Sequence, residues 1–356
     1  MRDYVRCGMG HGGAVQRNRD SLDSVRLMPR YLIAADAVDT TVELFGQDHA
    51  APFGVAPVGL GGAVWPHAAE RLASAARSHD VPFVASTFAL ASLERLRDAA
   101  GPRGWFQLYR PKRPEIESDL LRRAIESGYE VMVVTVDVPF RTRRDHDIRN
   151  GFSIPPRPGL RTVLDILAKP AWALAMARAG FPTFETLTPY LPDNLGRREA
   201  LAFLSDLVMA HVTPDILADL RRRWPGTLLV KGVLDPREAI QCRDLGVDGI
   251  IVSNHGGRQL EAAPSAAEVL PSVRAAVGEG YPLIADGGIR TGLDICRMLA
   301  LGADFVLMGR AFYYAVAAMG GRGADHAMRL LKAELTSTMG QLGCASLTEL
   351  RGRLIT

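Results

Sequence analysis

Residues 252–260, VSNHGGRQL, gather groups that could move a proton and hold an anion. His255 can take a proton near neutral pH, and Arg258 can clamp a carboxylate in bidentate fashion. A lone histidine is more often a satisfied structural residue. The arginine three positions on, across Gly256-Gly257, shifts the weighing towards chemistry. Other groups extend the set. Asp137 is a carboxylate that could steady the charged imidazole, Arg144 offers a second guanidinium, and Tyr109 could hydrogen-bond a hydroxyl or carboxylate oxygen. Lysine occurs at Lys112, Lys169, Lys231 and Lys332 alone, and Lys231 ends the apolar run TLLVKG. There it could form a Schiff base, neutralise negative charge on a cofactor, or pair structurally with Asp137 or Asp286.

The elements that must position these groups follow a repeated pattern. AIESGYEVMVVTVD, QCRDLGVDGIIVSNHGG and RMLALGADFVLMGRA each run from a helix-like stretch through a glycine into a nearly continuous apolar run. Gly128, Gly246 and Gly302 suit the left-handed position that closes a helix. The apolar runs suit parallel strands buried on both faces. Eight such runs lie near 53–57, 82–86, 105–109, 131–137, 227–231, 249–253, 282–286 and 304–308. In LDPREAIQ, Asp235 is the expected cap and Pro236 the first helical residue.

This points to an α/β fold, a (β/α)8 TIM barrel, which takes about 250 residues. One domain is expected over 1–356, with the barrel at about 53–320 and a long insertion after the fourth strand at about 140–212. The insertion carries Pro155, Pro156, Pro158, Pro170, Pro182, Pro189 and Pro192. A doubly wound sheet would place a glycine-rich phosphate turn after its first strand. GMGHGG at 8–13 matches that spacing, but no strand precedes it, so it reads as a plain glycine loop.

Polar groups stand at the end of nearly every candidate strand: Pro57-Val58-Gly59, Ser86, Gln107 and Tyr109, Thr135 and Asp137, Lys231, Ser253 to Arg258, Asp286-Gly287-Gly288, and Gly309-Arg310. Barrel active sites gather at that rim. Gly287, Gly288 and Gly309, with Arg290 and Arg310, follow the last two strands, where barrels often hold phosphate. The chemistry implied is a small carboxylate activated at the adjacent carbon by a phosphorylated cofactor that turns negative. Flavin mononucleotide (FMN) fits that description, and pyridoxal phosphate on Lys231 stays open on the residues alone.

The totals exclude other classes. A net charge of +3 without a basic tail argues against nucleic acid. Cys7, Cys242, Cys296 and Cys344 are scattered, no metal spacing appears, and the start MRDYVRCGMG is too polar for a signal peptide, so a cytoplasmic chain is expected. No apolar run approaches the roughly 20 residues of a membrane span.

SNHGGRQL, VKGVLDP, DGGIRTG, LGADFVLMGRAF, WFQLY and TVDVPFRTRRDHDIRNGF, in this order, resemble the FMN-dependent α-hydroxy-acid oxidising family across nearly the whole chain. That resemblance implies His255 as base, Asp137 as its partner, and Arg144 and Arg258 as carboxylate clamp, with Tyr109 and Tyr4 as hydroxyl partners. It implies Lys231 at the N1/O2 edge of the flavin, stabilising the reduced anionic ring. Pro57, Val58, Gly59, Ser86, Gln107, Thr135 and Ser253 then contact the ring and ribityl chain. Asp286, Gly287, Gly288, Arg290, Gly309 and Arg310 hold the ribityl phosphate. The implied reaction takes an L-2-hydroxy acid to its 2-oxo acid, passing electrons to a quinone-type acceptor or oxygen, in a homo-oligomer, a tetramer.

PVGLGGAVWP, KPAWALAMARAGFP and LGCASLTEL look most like the membrane-associated mandelate dehydrogenases of that family. This implies a mandelate-like substrate and peripheral contact of the insertion with the inner face of the membrane. Trp172, Met176, Phe181 and Phe184 beside Lys169 and Arg178 suit an interface, and equally a lid packed on its own barrel or on a neighbouring subunit. Gly59 stands where short-chain oxidases of the family tend to have alanine, which implies room for a bulky side chain. Departures are a shortened N-terminal helix before Tyr4, the glycine loop in place of an acidic stretch, Val58 for a common threonine, and Glu261 for the usual aspartate.

Overall fold

A computed structural model describes residues 2–33, 37–140, 142, 160–180, 183–193, 195–207 and 210–355. Arg144, Pro155, Pro156, Pro158, Phe181 and Pro182 lie outside them. Eight parallel strands close into a barrel: β3 Phe53–Val55, β4 Phe83–Ser86, β5 Gly104–Leu108, β6 Val131–Thr135, β7 Thr227–Val233, β8 Gly249–Val252, β9 Leu283–Asp286 and β10 Phe305–Met308. β10 pairs with β3 to complete the ring. The fold is therefore the expected (β/α)8 barrel.

Every residue of β4, β5, β6 and β8 is buried, as strands covered on both faces must be. One set of side chains fills the barrel interior, among them Val84, Trp105, Val133, Leu229, Ile251, Ile284 and Phe305. The opposite set packs under the surrounding helices. Those helices begin and end as their sequences direct. Asp235 accepts from the Arg237 N–H ahead of Pro236, and Ser265 with Glu268 and Thr291 with Asp294 form reciprocal caps. Gly128, Gly246 and Gly302 close their helices at φ of 82°, 78° and 114°.

A hairpin absent from the sequence reading, β1 Val42–Leu44 and β2 Gln47–His49, packs against the barrel interior. Its two-residue turn, Phe45-Gly46, is left-handed at both positions. Phe45 meets Trp105 edge-on at 6.0 Å, and His49 meets Phe305 at 5.6 Å. His49 is buried, and Arg103 Nη1 lies 3.4 Å from its Nδ1. Burial, and then the Arg103 charge, pull its pKa down to about 4.

Before the hairpin, helices Arg2–Arg6 and Gly13–Ser24 lie over the loops that follow β8 and β9. The insertion after β6 contains helices Leu160–Leu167, Pro170–Ala179 and Arg197–Leu207. It is seated on the barrel by Trp172 Nε1, which donates to the Val64 carbonyl at 2.9 Å, and by buried Phe184 and Leu187. Arg95 grips Glu185 through both carboxylate oxygens at 2.7 and 2.8 Å.

Candidate active site

The strand ends deliver one continuous polar arc. From β4 to β6, the Ser86 hydroxyl donates to Gln107 Oε1 at 2.9 Å, and Gln107 Nε2 donates to Thr135 Oγ1 at 3.0 Å. From β7 to β9, Lys231 Nζ donates to Ser253 Oγ at 2.8 Å and pairs with Asp286 Oδ2 at 3.0 Å. All six side chains are buried. Burial pulls the Lys231 ammonium down, but Asp286 and Asp137 outweigh it and hold its pKa above the ordinary lysine range. The structural pairing expected for Lys231 is present. It leaves Asp286 Oδ1 buried with no hydrogen-bond partner.

His255 answers the question raised by its sequence setting. His255, Gly256 and Gly257 are left-handed in succession, at φ of 57°, 62° and 76°. For His255 that conformation costs about 1 kcal/mol, and histidine visits it more readily than most residues. The turn aims the imidazole at Asp137. Nδ1 lies 2.9 and 3.1 Å from the two Asp137 oxygens, and Nε2 lies 3.2 Å from the Tyr109 hydroxyl. Burial alone would raise the Asp137 carboxyl, but His255 and Lys231 hold it below the ordinary carboxylate range. An ionised Asp137 keeps the proton on Nδ1 and leaves Nε2 as the basic nitrogen. Gly232 belongs to this arrangement and was not singled out from sequence. It sits at φ 106° where β7 breaks register, and a Cβ there would lie 2.6 Å from Asp137.

Arg258 stacks over the Tyr4 ring at 4.6 Å, and its Nη1 donates to the carbonyls of Tyr4 and Cys7 at 2.6 and 3.1 Å. Its Nη2 is buried without a partner, which costs free energy unless an acceptor arrives. The Tyr4 hydroxyl donates to the Gly59 carbonyl at 3.2 Å. Gly59 lies so near Phe88 that a Cβ would meet the Phe88 Cβ at 3.0 Å. A methyl here would press on Phe88 as well as take space at the rim. The Phe88 ring in turn packs edge-on against Tyr109 and Phe184, both at 5.6 Å.

At the ends of β9 and β10, Gly287 and Gly288 have φ of 100° and 85°. Helix Arg310–Met319 starts at Gly309 with no side-chain cap. Among the described residues Arg290 has no ion-pair partner; its Nη1 donates to the Ile289 carbonyl at 2.7 Å, and burial lowers its pKa. A desolvated cation after β9 and an uncapped helix start after the neighbouring β10 suit a phosphate. Two members of the expected cradle make further contacts. Arg310 donates to the carbonyls of Val5, Gly256 and Cys7 at 2.7, 2.8 and 3.3 Å, strapping down the N-terminal segment. Gly288 lets helix Gly13–Ser24 approach, since its Cβ would lie 2.7 Å from the Asn18 carbonyl oxygen. Asn18, also unforeseen, exchanges two buried amide hydrogen bonds with Asn254 at 2.9 and 2.7 Å. Pro57 and Val58 stand at the same rim after β3, with Val58 packed towards Gly309.

A family profile described as FMN-dependent dehydrogenase matches residues 1–356. The chain is 38% identical over 353 residues to an L-lactate dehydrogenase of Caulobacter sp. (strain K31), covering 98% of this chain and 92% of that one. It is also 38% identical over 348 residues to an (S)-mandelate dehydrogenase of Pseudomonas putida, covering 98% and 87%. A crystal structure of the monotopic membrane protein (S)-mandelate dehydrogenase superposes with a TM-score of 0.93 at 37% identity, covering 99% of this chain and 94% of that one. FMN fits the residues present: the buried polar arc, the orphaned Asp286 oxygen and the unpaired Arg290 suit a polar ring, a ribityl chain and one phosphate. The chain is an oxidoreductase that uses FMN, and it belongs to the FMN-dependent dehydrogenase family whose relatives include 2-hydroxy-acid dehydrogenases.

Proposed function

We propose that this protein oxidises an L-2-hydroxy acid, mandelate-like and aromatic in preference, to the 2-oxo acid. The observation that carries the reading is the His255–Asp137 pair facing a site in which the buried Arg258 Nη2 lacks an acceptor. A hydroxy acid supplies both partners. Its carboxylate completes the Arg258 guanidinium, aided by Arg144, and its hydroxyl reaches Tyr109 and Tyr4. Oxidation breaks the C2–H and O–H bonds and makes the C–O bond double, releasing two electrons and two protons. His255 Nε2 takes one proton while Asp137 steadies the imidazolium. Bound FMN would supply the acceptor for the two electrons and the other proton, and Lys231 stands ready to offset the negative charge that results.

The aromatic preference rests on Gly59 and on the likeness to mandelate dehydrogenase. L-lactate is the second reading, because relatives named L-lactate dehydrogenase are equally similar. We place the protein, as one domain over 1–356 and as a homotetramer, at the membrane surface through its insertion. Helices Leu160–Leu167 and Pro170–Ala179 expose Val163, Leu164, Ile166, Leu167 and Leu174. No helix of the described residues is long and apolar enough to cross a membrane. Electrons then pass to a membrane quinone, with oxygen as the competing acceptor. Anaerobic mixing with (S)-mandelate, L-lactate and glycolate tests the substrate by flavin bleaching. Reoxidation by a quinone analogue or by oxygen then tests the acceptor. Bleaching by none of the three acids would refute the proposal, and faster bleaching by L-lactate would favour the second reading.

A further inference from the structure

The glycine loop at 8–13 has a partner 250 residues away. Glu261, three positions after Arg258, points its carboxylate into the loop: Oε1 accepts from the His11 and Gly13 N–H groups at 2.8 and 2.9 Å. Gly10 and Gly12 are left-handed, and a Cβ on Gly10 would lie 1.9 Å from Glu261 Oε2. Only a glycine backbone lets the carboxylate seat this closely. Helix Gly13–Ser24 has no cap of its own, because Gly12 offers no side chain. A carboxylate at that end satisfies N–H groups and suits the helix dipole. These donors hold the Glu261 carboxyl below the ordinary range, the Gly13 N–H most strongly.

The same two segments meet at further points. Met9 N–H donates to the Gly257 carbonyl at 2.9 Å, and Arg17 Nη1 donates to the carbonyls of Glu261 and Ala263 at 2.9 and 2.8 Å. One end of this seam is Glu261. The other is the stack of Arg258 on Tyr4, whose hydroxyl reaches Gly59.

We propose that Glu261 is a positioning residue for substrate binding: it caps helix Gly13–Ser24 from the loop after β8 and so holds Tyr4 against Arg258 and Gly59. The inference rests on the reading of Tyr4 and Arg258 as substrate-binding groups. Glu261 touches neither substrate nor cofactor, so its loss acts on the ground-state complex and not on the proton transfer.

FMN-loaded wild type is compared with Glu261→Ala, Glu261→Asp and Tyr4→Phe in steady-state turnover of (S)-mandelate with an artificial acceptor. Glu261→Ala should raise KM about tenfold, the scale of one charge-assisted hydrogen bond, with kcat changed less than about twofold. Glu261→Asp should restore most of KM, which a general loss of structure would not allow. Limited trypsin digestion should cut Glu261→Ala faster after Arg6 and Arg17, at an unchanged melting temperature. If Tyr4→Phe raises KM and Glu261→Ala does not, this inference alone is overturned. If neither variant moves KM, the reading of Tyr4 falls with it. If Glu261→Ala raises KM where Tyr4→Phe does not, the effect does not run through Tyr4 and the proposal fails.

Discussion

His255 combines a strained backbone with two ring contacts, and that combination sets what its removal does. Its left-handed φ is supported by Ser253 Oγ, which accepts from the His255 N–H at 2.9 Å, while Asp137 orients the ring. The substitution His255→Ala removes the proposed base and leaves the polar arc proposed to receive FMN untouched. His255→Ala should bind FMN normally yet reduce it about 10²–10⁴-fold more slowly with substrate. Stopped-flow bleaching checks this, and a near-wild-type rate would assign the base elsewhere. Gly59 bears on the same site through Phe88. A methyl group there displaces Phe88, which packs on Tyr109, so the site is distorted as well as narrowed. Gly59→Ala should lower kcat/KM for (S)-mandelate more than for L-lactate; one methylene of misfit is worth roughly 1–3 kcal/mol. Equal losses on both acids would show that Gly59 does not set substrate size.

Two elements carry their own consequences. The hairpin β1–β2 buries His49 in neutral form against Phe305 and Arg103. With its folded pKa depressed to about 4, the unfolded chain binds the extra proton first as pH falls. Stability is therefore lost as pH drops below about 6.5, by up to about 1.4 kcal/mol per pH unit, and the loss levels off near the folded pKa. Chemical unfolding of His49→Gln across pH 4–7 should show a slope shallower than wild type by as much as one proton. An identical slope would mean that His49 titrates freely in the folded protein. In the insertion, helix Leu160–Leu167 turns Val163, Leu164, Ile166 and Leu167 outward, while Phe184 and Leu187 fasten the segment to the barrel. An apolar face on an anchored frame suits an interfacial helix. Replacing Leu164 and Leu167 with serine should abolish co-sedimentation with anionic lipid vesicles and leave turnover of a soluble acceptor unchanged. Undiminished sedimentation would place the contact elsewhere.

At the scale of the whole molecule, the barrel could be read from sequence because each strand is an apolar run bounded by a helix-closing glycine and a polar end. All eight runs became strands, and their polar ends did converge on one rim. The hairpin escaped because Phe45-Gly46 lacks the usual Asn-Gly or Asp-Gly turn, and its strands have only three residues each. The glycine loop at 8–13 was read as carrying nothing, since its partner Glu261 leaves no local trace. Arg310 sat at the expected place, yet its guanidinium turned to the N-terminal carbonyls, a choice only the folded chain decides.

The proposal that Arg290 and Arg310 serve the phosphate is one the cofactor should report. FMN held by residues at the ends of several strands would add its binding free energy to the stability of the folded barrel. Free FMN at 100 times its Kd contributes about 2.7 kcal/mol. Removing it should lower the melting temperature by several degrees and release a yellow compound identified as FMN by mass spectrometry. Arg290→Ala should weaken FMN retention about tenfold or more, because its guanidinium is desolvated at the end of β9 and has no ion-pair partner among the described residues. Once saturated with FMN, that variant should bleach with substrate near the wild-type rate, since Arg290 stands in the β9 loop, apart from the His255–Asp137 pair. Release of a different cofactor would refute the reading of the cradle. Unchanged FMN affinity in Arg290→Ala would move the phosphate to the helix start at Gly309 and Arg310.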